Sequence, residues 1–198
     1  MLLFAFLLYQ GFFMQIKLKD IATIQFGYYA QSTNGGTIPY LQAKQFNEFG
    51  QLVLASDTFL EDESKIQANL LNDGDVLFAS KGFRFFATEY KKEFGKAVAS
   101  SIFFVIKPDR TKLLPSYLVT VLNLPKNLAH FQQSGAGSSI PSIRKGELAD
   151  FTFNLISLDE QHKIASLREL YLKDIELTQN LIKQKQSLFN AVLSKKIN

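Results

Sequence analysis

From Ser157 to Asn198 the sequence contains neither glycine nor proline, and this stretch limits the possible folds more than any other. Ser157-Leu158-Asp159-Glu160 opens it as a capping box: the serine hydroxyl accepts from the amide three residues on, while Glu160 reaches back. Apolar residues then recur at Ile164, Leu167, Tyr171, Ile175, Ile182, Phe189 and Val192, with Thr178 and Lys185 dividing the two longer steps. A second column, Leu170, Leu177, Leu181 and Leu188, widens the stripe, and Lys, Glu and Gln take the opposite face. The pattern predicts one helix within 157–198, about 38 residues and roughly 55–60 Å long at about 1.5 Å per residue. A preceding domain of about 140 residues is too small to cover such a helix along its whole length. Its stripe therefore calls for another helix, from a second copy or a partner, in a coiled coil. The residues expected at that seam are Ile164, Leu167, Tyr171, Ile175, Leu181, Ile182, Leu188, Phe189 and Val192. A helix folded back as two antiparallel pieces is the alternative, but no turn residue marks a break.

Residues 14–156 have a different texture. Candidate strands are Lys17–Gln25, Thr37–Gln42, Asp75–Ala79, Ala97–Ile106 and Phe151–Leu155, each short, rich in Val, Ile, Phe or Tyr, and bounded by turn formers. Pro115–Leu122 reads as a helix with proline in its first turn, and Lys126–Gln133 as a second that ends near Gly135. Strands and helices do not alternate as a βαβ series, so the fold class expected is α+β, a mixed-sheet domain followed by the long helix. With 46% hydrophobic residues and 19 Phe, the chain of 198 residues can bury a core. The first 13 residues, MLLFAFLLYQGFF, are too short and too interrupted for a membrane span and lack the flanks of a signal peptide. We read them as an upstream extension from start-codon choice, ahead of an extra apolar element packed on the fold or a membrane signal. The domain proper then begins at Met14 and is expected in the cytoplasm, away from any membrane.

Chemistry is bounded just as sharply. The absence of cysteine excludes disulfides, thiol nucleophiles and Cys-ligated zinc. His130 is expected to be a partly buried helical residue and His162 to face solvent, so neither suggests a catalytic base. Asp57 with Glu63-Ser64-Lys65 could imitate a metal-dependent nuclease set, but an acidic surface turn is the better reading. Asp73-Gly74-Asp75 reads as a turn. Ser134-Gly135-Ala136-Gly137-Ser138-Ser139 lacks the Lys-Ser/Thr ending of a phosphate-binding loop. It remains a connector or a loop against a nucleic-acid backbone. No glycine-rich strand-to-helix turn or Asp/Asn-Pro-Pro-Tyr/Phe motif is present for S-adenosylmethionine chemistry. No catalytic residue, metal site or cofactor is expected.

More informative is Ser80–Lys96, which sets five cations against two acids for a net charge of +3 and interleaves them with Phe83, Phe85, Phe86, Tyr90 and Phe94. Such a segment can neutralise phosphates and read base edges, or it can be a hairpin with a buried aromatic face. The loop Tyr28–Asn34 is polar and carries amides able to meet adenine, or is a plain turn. The net charge of the whole chain, +4, permits an anionic partner.

The order of several pieces resembles half of a type I restriction–modification specificity (S) subunit, one target recognition domain followed by one spacer helix. They are Lys17-Leu18-Lys19-Asp20-Ile21-Ala22, Gly36-Thr37-Ile38-Pro39-Tyr40-Leu41, Asn72-Asp73-Gly74-Asp75-Val76-Leu77, Ile140-Pro141-Ser142-Ile143 through Leu148, and Leu158-Asp159-Glu160-Gln161-His162-Lys163-Ile164. The last is the sharpest. The proline-rich run that often precedes its Glu-Gln is here Asn154-Leu155-Ile156-Ser157-Leu158.

The resemblance implies a non-catalytic subunit that reads double-stranded DNA and docks a DNA methyltransferase (modification) subunit, with a restriction subunit in the larger complex. Full-length members join two recognition domains through antiparallel helices. A one-domain chain would rebuild that arrangement as a homodimer reading a split, palindromic site. By position, DNA is expected to meet Tyr28, Gln31, Ser32, Asn34, Gln42, Lys44, Ser80, Lys81 and Arg84, with Ser138 and Ser139 at phosphates. Arg84 is expected to read a base and Lys81 to hold the backbone. The competing function is a coiled-coil interaction module whose α+β head binds protein and not DNA.

Overall fold

The computed structural model describes residues 14–30, 36–47, 49–53, 55–61, 64–135 and 139–197. The N-terminal 13 residues and the candidates Gln31, Ser32, Asn34, Glu63 and Ser138 lie outside them. Strand β1 (Met14–Lys17) pairs antiparallel with β9 (Thr152–Leu155), Met14 opposite Leu155, so the two ends of the globular part meet. A four-stranded antiparallel sheet follows in the order β2 (Ala22–Phe26), β8 (Phe103–Pro108), β5 (Val76–Ala79), β6 (Phe86–Glu89). A smaller sheet runs β4 (Phe59–Leu60), β3 (Ile38–Leu41), β7 (Val98–Ala99), with β3 and β7 parallel. The helices are α1 (Ser64–Gln67), α2 (Pro115–Leu122), α3 (Pro125–Ser134), α4 (Lys145–Ala149) and α5 (Leu158–Ile197). The architecture is α+β with a long C-terminal helix.

Alternation along the central strands creates a core on both faces of the main sheet. Val76 and Phe78 of β5, with Phe104 and Ile106 of β8, face Leu118, Leu122, Phe131 and Leu148 from α2, α3 and α4. Leu77, Ala79, Phe103 and Val105 face the other way, against Leu41, Phe46 and Phe86. Edge strand β2 buries only Ile24, while Thr23 and Gln25 stay exposed. The opposite edge, β6, is closed by a side chain: Asn123 accepts from the Ala87 amide (2.8 Å) and donates to the Ala87 carbonyl (2.8 Å).

The structure departs from the expected strands where pairing partners change. A short 3-10 turn at Leu18–Asp20 divides the expected strand 17–25, sending β1 to β9 and β2 to β8. The strand expected over 97–106 is likewise two, because β7 pairs with β3 and β8 with β2 and β5. Strands β4 and β6 lie outside the expected strands, as does β1 apart from Lys17. β6 lies inside the basic-aromatic segment, where Phe85, Phe86 and Tyr90 are buried while Phe83 and Phe94 are exposed. Helix α2 forms as expected with Pro115 in its first turn, and α3 runs one residue beyond the expected 126–133 at each end, opening on Pro125.

The capping box forms at the start of α5: the Glu160 amide donates to Ser157 Oγ (3.3 Å), and the Ser157 amide to the Glu160 carboxylate (3.3 Å). The next residue, Gln161, is fully buried. Its Oε1 accepts from the Leu114 amide (2.8 Å), and its Nε2 donates to the carbonyls of Lys112 (2.8 Å) and Ile156 (2.9 Å). Ile164 packs on the main core, and Arg168 donates to the Phe49 carbonyl (3.2 Å). A cleft of about 500 Å³ opens there, lined by Thr88, Glu89, His162, Arg168 and Glu169 among others. Burial pushes the Glu89 carboxyl above its ordinary value and the Arg168 guanidinium below its own, each countered in part by the other's charge. From Leu167 onward the apolar stripe is exposed except at half-buried Ile175, Leu167 itself at 68%. No helix among the described residues is long and apolar enough to cross a membrane.

Two outcomes follow. Replacing Gln161 by Leu strands one buried amide and two buried carbonyls, and urea unfolding should show a loss of about 3 kcal/mol. Glu89→Gln should be at least as stable as the parent at neutral pH. A carboxyl with a raised folded pKa loses stability as pH rises from its unfolded value of about 4.3 through the folded one. The advantage of the Gln variant should therefore vanish below about pH 4 in unfolding titrations.

Candidate nucleic-acid interface

Five short segments, 28–30, 40–46, 80–84, 99–102 and 139–143, are tied to one another by hydrogen bonds. The Tyr28 amide donates to the Ala99 carbonyl (2.8 Å), and Tyr40 Oη donates to the Tyr28 carbonyl (2.7 Å). The Ser100 amide donates to the Leu41 carbonyl (2.9 Å). Ser80 binds the Ile102 carbonyl twice, through its amide (2.8 Å) and its hydroxyl (3.0 Å), and its own carbonyl accepts from the Ile143 amide (2.8 Å). The Gly82 amide donates to the Pro141 carbonyl (2.9 Å). Arg84 spans the remaining gap, its Nη2 donating to the carbonyls of Ala43 (3.0 Å) and Phe46 (2.7 Å) while its guanidinium lies 4.9 Å from the Phe86 ring centroid.

These ties sort the sequence candidates into supports and tips. Ser80, expected at DNA, is buried, and its hydroxyl is committed to Ile102, so it is a support. Arg84 is exposed, and its Nη2 holds the 43–46 turn through two backbone carbonyls. Tyr28 is half-buried and packs beside Tyr40. Lys44 is exposed but pairs with Asp57 at 2.6 Å, and that hydrogen bond holds the Asp57 carboxyl below its ordinary value. A surface pair of this kind is screened by water and salt, so phosphate can compete for the lysine. Gln42 and Lys44 share a shallow cleft of about 450 Å³ with Tyr29, Ser101 and Ile102. Lys81 and Ser139 are exposed. The segment expected to be basic and aromatic thus contains both a buried aromatic face and exposed cations.

Sequence reasoning passed over several residues on this face. Tyr29 is 79% exposed beside the Gln42 cleft. Arg144 and Lys145, at the start of α4, are exposed and follow directly from the segment bonded to Ser80 and Gly82. Lys145 lies 5.6 Å from the ring centroid of exposed Phe26. The adjacent Arg-Lys pair after a proline-containing turn was a usable signal.

The other chemical candidates are scattered. Asp57 is engaged with Lys44, and among the described residues no group of three or more His, Asp or Glu is placed to hold a metal ion. Asp73, Gly74 and Asp75 form a turn in which Asp75 accepts from the Asn72 amide (2.9 Å), and burial raises its carboxyl. His162 is exposed as expected; His130 is exposed too, contrary to the partly buried position expected for it.

Comparison with known proteins adds a family to this geometry. Residues 13–185 match the family model described as Type I restriction modification DNA specificity domain. A curated relative, the Type I restriction enzyme EcoDI specificity subunit of Escherichia coli, is 32% identical over 127 residues, covering 64% of this chain and 27% of its own length. Among solved structures, the HsdS subunit from Thermoanaerobacter tengcongensis superimposes with a TM-score of 0.61 at 17% identity, over 84% of this chain and 39% of that one. A chain from a type I R-M system, solved for its complex assembly and conformational transition, gives 0.59 at 18%, over 92% and 43%. At these identities the structural likeness is one of fold, and the chain spans well under half the length of each of these proteins.

The support role of Arg84 has a measurable signature. Arg84→Ala should lower unfolding stability by about 1–2 kcal/mol through the lost carbonyl bonds and ring contact. If this face binds DNA, the same variant should weaken binding to all duplexes by a similar factor, without relaxing preference at one base pair, as competition with base-substituted duplexes will show.

Proposed function

Because the chain belongs to the type I restriction modification DNA specificity domain family, we propose that it recognises DNA sequence and leaves catalysis to partner subunits. Residues 14–156 act as the target recognition domain, and 157–198 as the spacer helix. The observation that carries this reading is the convergence of five braced segments on one face, which exposes Tyr29, Lys81, Phe83, Arg144 and Lys145. Those side chains suit a polyanion with stacked bases: cations for phosphate, rings for base or sugar faces. Gln31, Ser32 and Asn34, which follow Tyr29 closely in sequence, are proposed as further DNA contacts.

The helix supports the second half of the proposal, a homodimer reading two half-sites. Leu167, Tyr171, Leu181, Ile182, Leu188, Phe189 and Val192 are all exposed, an apolar stripe that an isolated helix in water does not favour. Residues 158–177 carry three cations against five acids, a net of −2, whereas 178–197 carry four lysines and no acid. Antiparallel pairing of two copies sets the acidic half of each against the basic half of the other; parallel pairing stacks like on like. Two heads held apart by this coiled coil, related by a twofold axis, read a split palindrome. The methyltransferase subunit docks on the same assembly, and the restriction subunit joins the larger complex.

The test combines light scattering with DNA-binding anisotropy on the full chain. A dimer is expected, with affinity that falls steeply between about 50 and 200 mM salt, as counterion release requires. The double variant Leu181→Asp, Phe189→Asp should be a monomer that binds single half-sites and no longer favours a fixed spacing. Salt-insensitive behaviour with no DNA affinity would instead fit a protein-binding head.

A further inference from the structure

Phe83 is the most exposed large apolar side chain among the described residues, at 82%. An aromatic ring left in water on a loose loop would be unremarkable, but this loop is not loose. Before it, Gly82 adopts φ +108°, a backbone angle that side-chain-bearing residues rarely hold, and bonds to Pro141. Lys81 forms a β-bridge with Ser142, and Ser80 is buried. After it, Arg84 is tied to Ala43 and Phe46, and Phe85 stacks on Phe78 in the core at 6.4 Å. The ring is therefore held out by fixed backbone on both sides. Ile140, on the neighbouring segment bonded to Gly82 through Pro141, is exposed at 58%. Segments 80–85 and 139–146 together carry Lys81, Arg84, Arg144 and Lys145, and no Asp or Glu.

A rigid apolar point surrounded by cations has the chemistry of a wedge for duplex DNA. The cations neutralise phosphates on either side, and the ring enters between adjacent base pairs, partly unstacking them. An apolar protein pocket would leave Lys81, Arg144 and Lys145 without counter-charge. We propose that Phe83 inserts into one base step of the bound duplex, with Ile140 beside it, and bends the DNA there. This rests on the DNA-recognition reading and deepens it. Unstacking is easiest at pyrimidine–purine steps, so Phe83 selects such a step through deformability without a hydrogen bond to any base.

The test uses the full chain and duplexes it recovers from a randomised 30-base-pair library, labelled at both ends for energy transfer and substituted singly with 2-aminopurine. The parent should raise 2-aminopurine fluorescence several-fold at one pyrimidine–purine step and shorten the end-to-end distance. Phe83→Ala should lose both signals and bind about ten- to a hundredfold more weakly. Phe83→Leu, which keeps an apolar wedge, should retain most of each. Because the side chain is exposed, neither variant disturbs the core. If the parent binds its selected duplexes but shows no fluorescence change, or if Phe83→Ala matches it in affinity and bend, the wedge is wrong and DNA recognition stands. If the parent recovers no duplex at all, both fall.

Discussion

The course of the chain out of the globular part depends on one amide. Gln161 sits at the first turn of α5, and its side chain meets one N–H and two carbonyls, all main-chain groups. Their identity fixes the amide's orientation, since only Oε1 can face the Leu114 N–H and only Nε2 can face the carbonyls of Lys112 and Ile156. Two of these partners precede α2 and the third follows β9, so one side chain joins the helix layer, the terminal strand pair and the long helix. A glutamate would bury a charge and lose both donor bonds, and an asparagine is one methylene too short. Glu160 and Gln161 thus divide the work at the helix start: the first caps it outwardly, the second anchors it inwardly. Helix direction is set there, and Ile164 and Arg168 extend the contact before α5 leaves the head.

A buried anchor of this type matters more for a long helix than for a short one. Beyond the Arg168 contact, α5 has some 29 residues with little to pack against, a lever of roughly 40 Å at about 1.5 Å per residue. A small angular change at the junction becomes a large displacement at its end. Three directional bonds in a dry site resist such a change better than apolar packing, which tolerates sliding. Under the proposed reading, in which the helix sets the distance between two half-sites, that stiffness is what turns a helix into a ruler.

Much of this was legible in the sequence because it is local. The capping box, the proline-initiated helices, the Asn72–Asp75 turn and the glycine-free helix each declare themselves within a few residues. The α+β class followed from their order. What escaped notice is non-local. β4 has two residues and exists only through its partner β3, and β6 is short and set among lysines and glutamates. The expected strand at 97–106 changes sheets midway, which no periodicity reveals. At the candidate interface, the sequence pointed to segments that the structure brings together, but not to the direction of each side chain. Ser80 and Arg84 turn to carbonyls more than twenty residues away in the chain, and Phe83 turns to solvent. A polar residue in a loop has no sequence mark that says whether its partner is the protein or something outside it.

The bracing bonds have a common property that bears on how such a surface can change. Ser80 bonds to the carbonyl of Ile102, Arg84 to those of Ala43 and Phe46, Tyr40 to that of Tyr28, and Asn123 to both polar groups of Ala87. Each places a side chain against main chain, and a main-chain group is the same whatever residue bears it. Substitutions at 28, 43, 46, 87 and 102 therefore leave the acceptor in place so long as the backbone path holds. The braces depend on a few donors, while the tips between them are free to differ. Under the proposed reading, a recognition surface built this way can alter what it reads, at Tyr29, Lys81 or Phe83, without giving up the bonds that hold its shape.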